Sequence, residues 1–424
     1  MAGDPPHPSG IAARSGPPSP ASGEGKPTSP ASGEVKPASP ASGEVKNWGF
    51  STRALHIGQG PDPATGAVVQ PIHMATTFAQ QGVGKHKGFE YGRSGNPTRQ
   101  ALEECLAALE DAKHCLAFSS GLGAETTLML LLDPGDHVVY MEDVYGGTFR
   151  LFDKVLKRYG VTFTPVDAAD IDAVERSMTP RTRMLWLESP TNPLLRIVDI
   201  DAVSEVAHSH GAMVCVDNTF ATPYLQQPLH LGADVVVHSS TKYIGGHSDV
   251  VGGAVMTSDE ELEQKLRFHQ NAVGAVPSPF DCWLLLRGVK TLALRVERQS
   301  QNAMELATAL QGNRAVKRVF YPGLDSHPNR GVAARQMRMF GGMVTFEVED
   351  EPTAFRTLER LQIFALAESL GAVESLAEHP ARMTHASIPV AERERSGVGD
   401  GLIRLSVGVE DVADLIADLE SALS

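Results

Sequence analysis

The chain has 424 residues and a formal net charge of −14 at pH 7, which argues against nucleic acid or an anionic membrane as its partner. The length allows a large buried core and more than one domain. Its four cysteines lie far apart without paired spacing, so we expect free thiols in a reducing compartment. No apolar stretch approaches the ~20 residues of a membrane-spanning helix, and the first ten residues lack the features of a secretory signal. We therefore expect a cytoplasmic protein.

Residues 1–47 consist mainly of Pro, Ser, Ala and Gly and contain a ten-residue repeat, read as SPASGEGKPT, SPASGEVKPA and SPASGEVKN. Such a segment has too little apolar surface to offset the entropy lost on ordering, so it predicts a flexible, disordered tail. From Trp48 the apolar content rises, and residues 48–88 mix Gly, Pro and short apolar pieces without clear periodicity. We interpret this segment as an N-terminal arm that packs on another subunit.

The next stretch, FEYGRSGNPT, places Tyr91 and Arg93 on either side of a glycine, ahead of a helical pattern over 99–109. Arginine suits a phosphate because its planar fork matches two oxygens at once. These residues alone favour an ordinary solvated loop, so the phosphate interpretation depends on other evidence.

Strands and helices are then predicted to alternate, which indicates a mostly parallel, doubly wound sheet in a large domain over 89–288. The predicted strands are 115–118, 137–141, 162–166, 183–187, 213–216 and 235–238, and the predicted helices are 124–132, 148–159, 171–178 and 200–210. After the first strand, SSGLGAE leads into a helix, and backbone N–H groups in such a turn can hold a phosphate. This Gly-x-Gly lacks the spacing of a dinucleotide fingerprint, which disfavours a nicotinamide oxidoreductase.

Two further loops follow predicted strands. YGGTFR offers the ring of Tyr145 and the cation Arg150, and ESPTNP offers the amide Asn192 in a proline-containing turn. A flat aromatic ring can stack on a flat cofactor. Taken alone, each loop has residues that are common in surface loops. Their convergence on one edge of one sheet favours a functional site.

The most informative stretch is VVVHSSTKYIGGHSD, in which Lys242 follows a buried strand and three hydroxyl residues. Desolvation lowers the pKa of a lysine, and a lysine tuned in this way can form a Schiff base with pyridoxal phosphate. We interpret the following Gly245–Gly246 turn as mobile, so that the lysine can swing aside. Asp217 ends another apolar run, and one crossover would place it near Lys242 at the carboxyl ends of neighbouring strands. A carboxylate there can keep a pyridine nitrogen protonated.

Beyond residue 288 the pattern changes and predicts a smaller α+β domain over 289–424. A long helix is predicted at 289–310, strands at 343–348 and 402–407, helices at 353–361 and 412–423, and a loop at 367–374. Glu368 and Ser369 lie in that loop, and Arg404 lies within an apolar strand. Buried arginines are nearly always paired, so Arg404 is expected to bind either a substrate carboxylate or a carboxylate of the protein.

These motifs resemble the pyridoxal-phosphate enzymes of cysteine and methionine metabolism, the transsulfuration group with the fold-type I transferase architecture. The resemblance runs from about Ser51 to the C-terminus, and it rests on the motifs YGRSGNPT, SSGLGAE, VYGGTFR, ESPTNP, VDNTF, HSSTKYIGGHSD, GAVPSPFDC, ESLGAVESL, MTHAS and LIRLSVG. One departure is Ala372, where the family pattern leads us to expect a second glycine after Gly371.

The resemblance implies pyridoxal 5'-phosphate as cofactor and a role for each site residue. Lys242 would bind the cofactor and move protons, Asp217 would pair with the pyridinium nitrogen, and Tyr145 would stack on the ring and assist deprotonation. The phosphate would be held by Gly121, Leu122, Ser239 and Thr241. Tyr91 and Arg93 of a neighbouring subunit would also bind the phosphate. The resemblance therefore implies a homo-oligomer, by similarity a tetramer. The substrate α-carboxylate would be bound by Arg404, Asn192 and the region of Ser369, and no metal is implied.

Within the family, Glu90, Arg150 and Glu368 resemble the members that cleave L-cystathionine to cysteine, 2-oxobutanoate and ammonia. An acidic pocket suits a substrate that carries an ammonium group at its far end. The alternative is γ-replacement on an acylated homoserine by a synthase or a sulfhydrylase, whose bacterial forms can share the Glu368 block. A non-catalytic scaffold that kept the fold is a third hypothesis, which no residue favours.

Overall fold

The structure is a computed structural model that describes residues 48–386 and 388–424. The predicted tail over 1–47 lies outside the described residues. Two β-sheets, formed by residues before and after the predicted boundary at 288–289, organise the rest. That boundary stays a prediction, as do the limits of the N-terminal arm. No helix in the part of the chain that the structure describes is long and apolar enough to cross a membrane.

The first sheet has seven strands, and five consecutive neighbours in it run parallel. Its strands are β1 (His114–Phe118), β2 (His137–Met141), β3 (Thr162–Val166), β4 (Thr182–Glu188), β5 (Met213–Asp217), β6 (Val235–His238) and β7 (Gly253–Thr257). All six predicted strands are present to within one residue at either end. The sequence analysis missed β7, which pairs antiparallel with both β1 and β6.

The strand order β1-β7-β6-β5-β4-β2-β3 contains a reversal. From β2 the chain moves outward to β3, whereas from β4 it moves in the opposite direction through β5 to β6. Because parallel crossovers are right-handed, connections that run in opposite directions lie on opposite faces of the sheet. The sheet is therefore doubly wound, as predicted, and the reversal lies between β2 and β4. Ligands in such sheets bind at the carboxyl ends of the strands near this point.

Helices precede, connect and follow the strands of this sheet along the chain. They are α1 (Phe50–His56), α2 (Pro97–Leu109), α3 (Gly121–Met129), α4 (Gly146–Arg150), α5 (Ile171–Ser177), α6 (Ile200–Ser209), α7 (Thr222–Leu225), α8 (Glu260–Val273) and α9 (Pro279–Val289), with a π-helical turn over Leu151–Val155 and 3₁₀ turns over Leu156–Tyr159 and Pro228–Leu231. Asn96 caps α2 by accepting from the backbone N–H groups of Thr98 and Arg99, and Pro97 suits the first turn. The N-terminal arm contains the helix α1 near its start. The sequence analysis did not predict this helix, because the segment shows no clear periodicity.

The second sheet has five strands in the order β10-β11-β12-β9-β8. Its strands are β8 (Arg318–Phe320), β9 (Met343–Glu347), β10 (Ala365–Leu366), β11 (Leu376–Glu378) and β12 (Leu402–Ser406), and its helices are α10 (Leu292–Gly312), α11 (Arg330–Gln336), α12 (Glu351–Arg360), α13 (Val390–Arg395) and α14 (Val412–Leu423). The predicted strands at 343–348 and 402–407 are confirmed within one residue, and three short strands were missed. Apolar residues of β9, β12, α10 and α14 form a separate core.

The long helix predicted over 289–310 is confirmed as α10, which begins three residues later, at Leu292, and ends at Gly312; the sequence analysis missed α9, which ends at Val289. The side chain of Arg295 reaches back from α10 and donates to the carbonyl oxygens of Gly288 and Tyr243 at 2.9 and 2.7 Å. These hydrogen bonds hold the chain in place where the two helices meet. No proline or glycine lies between residues 289 and 292 to predict the break from the sequence.

The prediction of free thiols is confirmed. Cys105, Cys115, Cys215 and Cys282 are all unpaired and buried. Burial raises the pKa of each thiol, which keeps them protonated and unreactive.

Candidate active site

A cavity of about 340 Å³ opens at the carboxyl ends of β4, β5 and β6, beside the loop that precedes α3. Its size is within the range of small-molecule sites. Residues from both sheets line it: Ser120, Gly121, Leu122, Glu125, Tyr145, Glu188, Pro190, Asn192, Asp217, Thr219, Phe220, Ser239, Thr241, Lys242, Val251, Glu368, Ser369, Leu370, Thr384 and Arg404. The cavity thus combines a lysine, four acidic residues and an arginine.

Lys242 lies four residues beyond the end of β6 and lines this cavity. Burial, together with the nearby charge of Arg404, lowers the pKa of its ammonium group. A lowered pKa increases the fraction of neutral, nucleophilic amine. This direction agrees with the desolvated lysine expected from the sequence, and the catalytic role of Lys242 stays a prediction.

The interpretation of Gly245–Gly246 as a mobile turn is wrong. Both glycines are buried, and Gly246 has φ +69° and leaves no room for a Cβ, which would collide with the guanidinium of Arg295. A Cβ at Gly245 would come 2.9 Å from Val250. Glycine is required here for close packing and for a positive φ, so the turn fixes the chain beyond Lys242 rather than freeing it.

Asp217 ends β5, directly beside β6 in parallel register, as predicted. Its carboxylate accepts a 2.9 Å hydrogen bond from the backbone N–H of Thr219. The Thr219 hydroxyl in turn accepts from the backbone N–H of Ser239 at 2.8 Å, which ties the end of β5 to the loop after β6. Burial raises the pKa of Asp217, although the bonds from Thr219 and the charges of His238 and Lys242 oppose this. A cation bound beside Asp217 would stabilise its ionised form.

The predicted phosphate loop lines the same cavity. Ser120 caps α3 by accepting from the backbone N–H of Gly123 at 3.0 Å, and Gly121 and Leu122 form the first turn of the helix. A Cβ at Gly121 would lie 2.9 Å from that of Ser239, so only glycine allows the two loops to meet. Thr241 completes this wall, held by two bonds to Gly252 at 3.0 and 3.1 Å.

Tyr145 follows β2 and lines the cavity with about a third of its surface exposed. Burial raises the pKa of its phenol, while the hydrogen bond and charge of Arg150 act in the opposite direction. Its backbone N–H donates to the Glu188 carboxylate at 2.8 Å. Arg150 lies in the last turn of α4, near the Tyr145 phenol. It is not one of the residues that line the cavity.

Two buried carboxylates, Glu125 and Glu188, accompany Asp217 in this wall. Glu125 accepts from the hydroxyl of Thr148 at 2.9 Å. Burial and the negative charge of Asp217 raise the pKa of both glutamates well above the usual range. At neutral pH this wall therefore carries less negative charge than three free carboxylates would.

Arg404 lies on β12 and is buried, with three acceptors around it. Its Nη1 donates to the Asn192 amide oxygen at 2.8 Å and lies 3.1 Å from Oε1 of Glu378, while Nη2 donates to the Ser369 carbonyl oxygen at 2.9 Å. The two alternatives expected for Arg404 are thus not exclusive, because it pairs with a protein carboxylate and also lines the cavity. Ser369 has φ +101°, a strained conformation for a residue with a side chain.

Besides Arg150, three predicted site residues, Glu90, Tyr91 and Arg93, do not line this cavity within one chain. Tyr91 is about half exposed, and Arg93 lies over its ring at 5.6 Å. Glu90 is more than half exposed and lies 3.5 Å from His86. The structure therefore brings together Lys242, Asp217, Tyr145, the phosphate loop, Arg404, Asn192, Ser369 and Glu368, and leaves these three on the surface.

Several lining or supporting residues were not assigned a role from the sequence: Glu125, Glu188, Thr219, Glu378 and Thr384. Glu188 and Thr219 stand inside quoted motifs, ESPTNP and VDNTF, so their strand-end positions were the available signal. Glu378 had no such signal, because its importance depends on a neighbouring strand.

Comparison with known proteins agrees with this geometry. The family model described as Cys/Met metabolism PLP-dependent enzyme matches residues 51–424. A cystathionine gamma-synthase of Mycobacterium tuberculosis is 58% identical over 378 residues, 88% of this chain and 97% of that protein. A cystathionine beta-lyase of Coxiella burnetii is 54% identical over 375 residues, with 88% and 97% coverage. The crystal structure of a cystathionine gamma-lyase from Lactobacillus plantarum, complexed with L-serine, has a TM-score of 0.86 at 48% identity, covering 88% of this chain and 98% of that one.

Proposed function

The chain belongs to the family of PLP-dependent enzymes of cysteine and methionine metabolism, and on that premise we propose that it cleaves L-cystathionine by γ-elimination. The products are L-cysteine, 2-oxobutanoate and ammonia, with one water consumed. The observation that carries the proposal is that Lys242, Asp217, Arg404 and Glu368 line a single cavity. These groups match the amine chemistry, the cofactor ring, the α-carboxylate and the far ammonium group of this substrate.

The cavity fits pyridoxal 5'-phosphate. The buried carboxyl of Asp217, whose pKa is raised, suits a cationic ring nitrogen, and the first turn of α3 with Ser239 and Thr241 suits a phosphate. Lys242 would hold the aldehyde carbon, and Tyr145 would cover the ring. When bound, the cofactor supplies an electron sink for negative charge that develops at the substrate α-carbon.

The roles of this chain's residues follow from their positions. Arg404 and Asn192 would bind the α-carboxylate and so orient the bond to the α-proton. Lys242, with a lowered pKa, would accept that proton and move protons at the neighbouring carbon. Tyr145, whose phenol is kept protonated by its raised pKa, would donate to the departing sulfur. Glu368 would hold the far ammonium group, with Arg150 beside it.

A homo-oligomer is part of the proposal. The segment from Pro61 to Arg93 is largely exposed, including Val68, Met74 and Tyr91. Exposed apolar side chains in one segment are typical of an interaction surface. In the proposed assembly this arm covers a neighbouring subunit, and Tyr91 and Arg93 complete the phosphate site there. We further propose a cytoplasmic location, which the four free buried cysteines support.

The second candidate is γ-replacement on an acylated homoserine, and the 58% identity to a cystathionine gamma-synthase favours it. Purified enzyme should be assayed with L-cystathionine alone, and then with O-succinyl- or O-acetylhomoserine plus cysteine. We expect 2-oxobutanoate and cysteine from the first assay, with the larger kcat/KM. A larger kcat/KM in the second assay would overturn the γ-lyase proposal, and release of pyruvate and homocysteine would indicate β-elimination instead.

Lys242→Ala tests the common premise of these candidates. The variant should lose turnover and the absorbance of covalently held cofactor, while Lys290→Ala, a lysine outside the cavity, should retain both. A Lys242→Ala variant that stays yellow and active would refute the assigned role of Lys242.

A further inference from the structure

Glu378 and Arg404 form a buried ion pair that the proposed reaction does not by itself explain. They are directly opposite each other on the antiparallel strands β11 and β12, so their side chains lie on the same face of the sheet. Both side chains are about 98% buried or more. Register and burial together fix the carboxylate of Glu378 beside Nη1 of Arg404.

Glu378 is itself held in place by a third residue. The Thr384 hydroxyl, which lines the cavity, donates to Oε1 of Glu378 at 2.7 Å. The same oxygen lies 3.1 Å from Nη1 of Arg404. Movement of Glu378 would therefore break two bonds at once and leave a buried carboxylate without its cation.

The donors of Arg404 can be counted. A guanidinium has five N–H donors. Nη1 donates to Asn192 and also forms the 3.1 Å ion pair with Glu378, while Nη2 donates to the Ser369 carbonyl oxygen. Among the residues that the structure describes, Nε–H is buried without an acceptor.

Nε and Nη2 form one edge of the planar group, and on this edge Nε–H has no acceptor while Nη2 carries a second N–H beyond its bond to Ser369. This edge matches the two oxygens of a carboxylate.

We propose that Glu378 is a positioning residue: it turns Arg404 so that the Nε–Nη2 edge receives the substrate α-carboxylate, and it stays paired when substrate binds. This inference rests on the proposed function, because it assumes an amino-acid substrate in the cavity. It predicts that the hydrogen-bond acceptor at position 378, rather than its charge, determines recognition of the carboxylate.

The opposite arrangement would make Glu378 a competitor that occupies Arg404 until substrate displaces it. The two arrangements differ in what happens when the charge is removed and the acceptor is kept. Glu378→Gln retains an acceptor oxygen, whereas Glu378→Met fills the same space without one. Glu347→Met is a matched control, because Glu347 lies on the other neighbour of β12, opposite Leu402 rather than Arg404.

The experiment titrates each holoenzyme with L-alanine and with L-alaninamide, followed by the absorbance of the bound cofactor. The two ligands differ at the carboxyl group, which is an anionic carboxylate in L-alanine and a neutral amide in L-alaninamide. We expect wild type, Glu378→Gln and Glu347→Met to prefer L-alanine to a similar degree, within about threefold. Glu378→Met should lose about tenfold or more of this preference. Thr384→Val, which leaves the ion pair intact, should lose about threefold and serves if Glu378→Met does not fold.

Equal weakening of both ligands in Glu378→Met would overturn the proposal, since it indicates a general structural role. Tighter L-alanine binding in both position-378 variants would also overturn it, in favour of the competitor. These results are separate from the fate of the proposed function. That function fails if wild type does not turn over any of the sulfur amino acids, whatever the ratio of the two binding constants.

Discussion

The carboxylate of Glu188 accepts a hydrogen bond from the backbone N–H of Tyr145 at 2.8 Å, although the two residues are 43 positions apart. Glu188 ends β4, and Tyr145 follows β2, the parallel neighbour of β4. The bond therefore crosses the point at which the strand order reverses. It fixes the loop that presents the Tyr145 ring to the cavity.

We expect Glu188→Ala to lower kcat about tenfold to a hundredfold, because it leaves the backbone N–H of Tyr145 without its acceptor, which costs about 1–3 kcal/mol. Glu188→Gln keeps an acceptor oxygen and should stay within about threefold of wild type. Steady-state kinetics with L-cystathionine would measure both. If the two variants are equally impaired, the charge of Glu188 matters rather than its bond to Tyr145.

Gly147 offers a second test of the position of Tyr145. A Cβ on residue 147 would come 2.2 Å from the ring carbon Cε1 of Tyr145, so alanine there displaces the ring. We expect Gly147→Ala to lower kcat at least about tenfold, since small misplacements of catalytic groups are costly. Stability should not fall, because alanine favours the helix α4 that contains this position.

Gly312→Ala is the matched control for this substitution. Gly312 ends α10, and a Cβ there has no neighbour within 4 Å. This variant should retain wild-type kinetics. Unchanged kinetics in Gly147→Ala as well would show that the ring position tolerates displacement.

The sequence was sufficient where the determinant is local. Val235–Val237 is a continuous apolar run and forms most of the interior strand β6, and Lys242 and Asp217 could be placed because parallel strands bring their carboxyl ends to one edge. Asn96, a helix-capping residue, and Pro97, which suits the first turn of a helix, likewise indicate where α2 begins.

What the sequence could not predict depends on contacts between distant segments. Strand β7 begins with Gly253, directly after Gly252, so its pairing with β1 and β6 rather than its sequence defines it. The break between α9 and α10 depends on bonds from Arg295 to carbonyl groups elsewhere. The partner of Arg404 could be named only once β11 was known to lie beside β12.

The proposed sharing of the active site between subunits predicts complementation. Lys242→Ala and Arg93→Ala should each be strongly impaired as homo-oligomers. Co-expressed with different tags, they should regain activity, because a mixed pair contains one site with Lys242 from one chain and Arg93 from the other. With random pairing of equal amounts we expect about a quarter of wild-type activity.

The control for complementation pairs Lys242→Ala with Asp217→Asn. Both residues line the cavity of the same chain, so no mixed pair contains an intact site. This combination should stay inactive. Equal failure of the Arg93 combination would show that Arg93 does not act across a subunit interface.

The pH dependence of stability follows from His385. Its Nε2 lies 3.1 Å from the carbonyl oxygen of Asn192, and burial, reinforced by the charge of Arg404, lowers the pKa of its imidazole to about 4. The usual pKa of histidine is about 6.5, so between these values the unfolded chain binds a proton that the folded chain does not. The stabilisation is complete above about pH 6.5 and is lost as pH falls towards 4. Its full size is about 3 kcal/mol.

His385→Gln can keep a donor to Asn192 but cannot titrate, so its free energy of unfolding should depend less on pH. Urea unfolding of both proteins at one protein concentration, between pH 7 and pH 4.5, would measure the difference. We expect wild type to lose about 2 kcal/mol relative to the variant over this range, because most of the titration window of the imidazole lies within it. Parallel curves for the two proteins would mean that His385 is protonated in the folded state, and a charged imidazole beside Arg404 would then need a carboxylate partner such as Glu378.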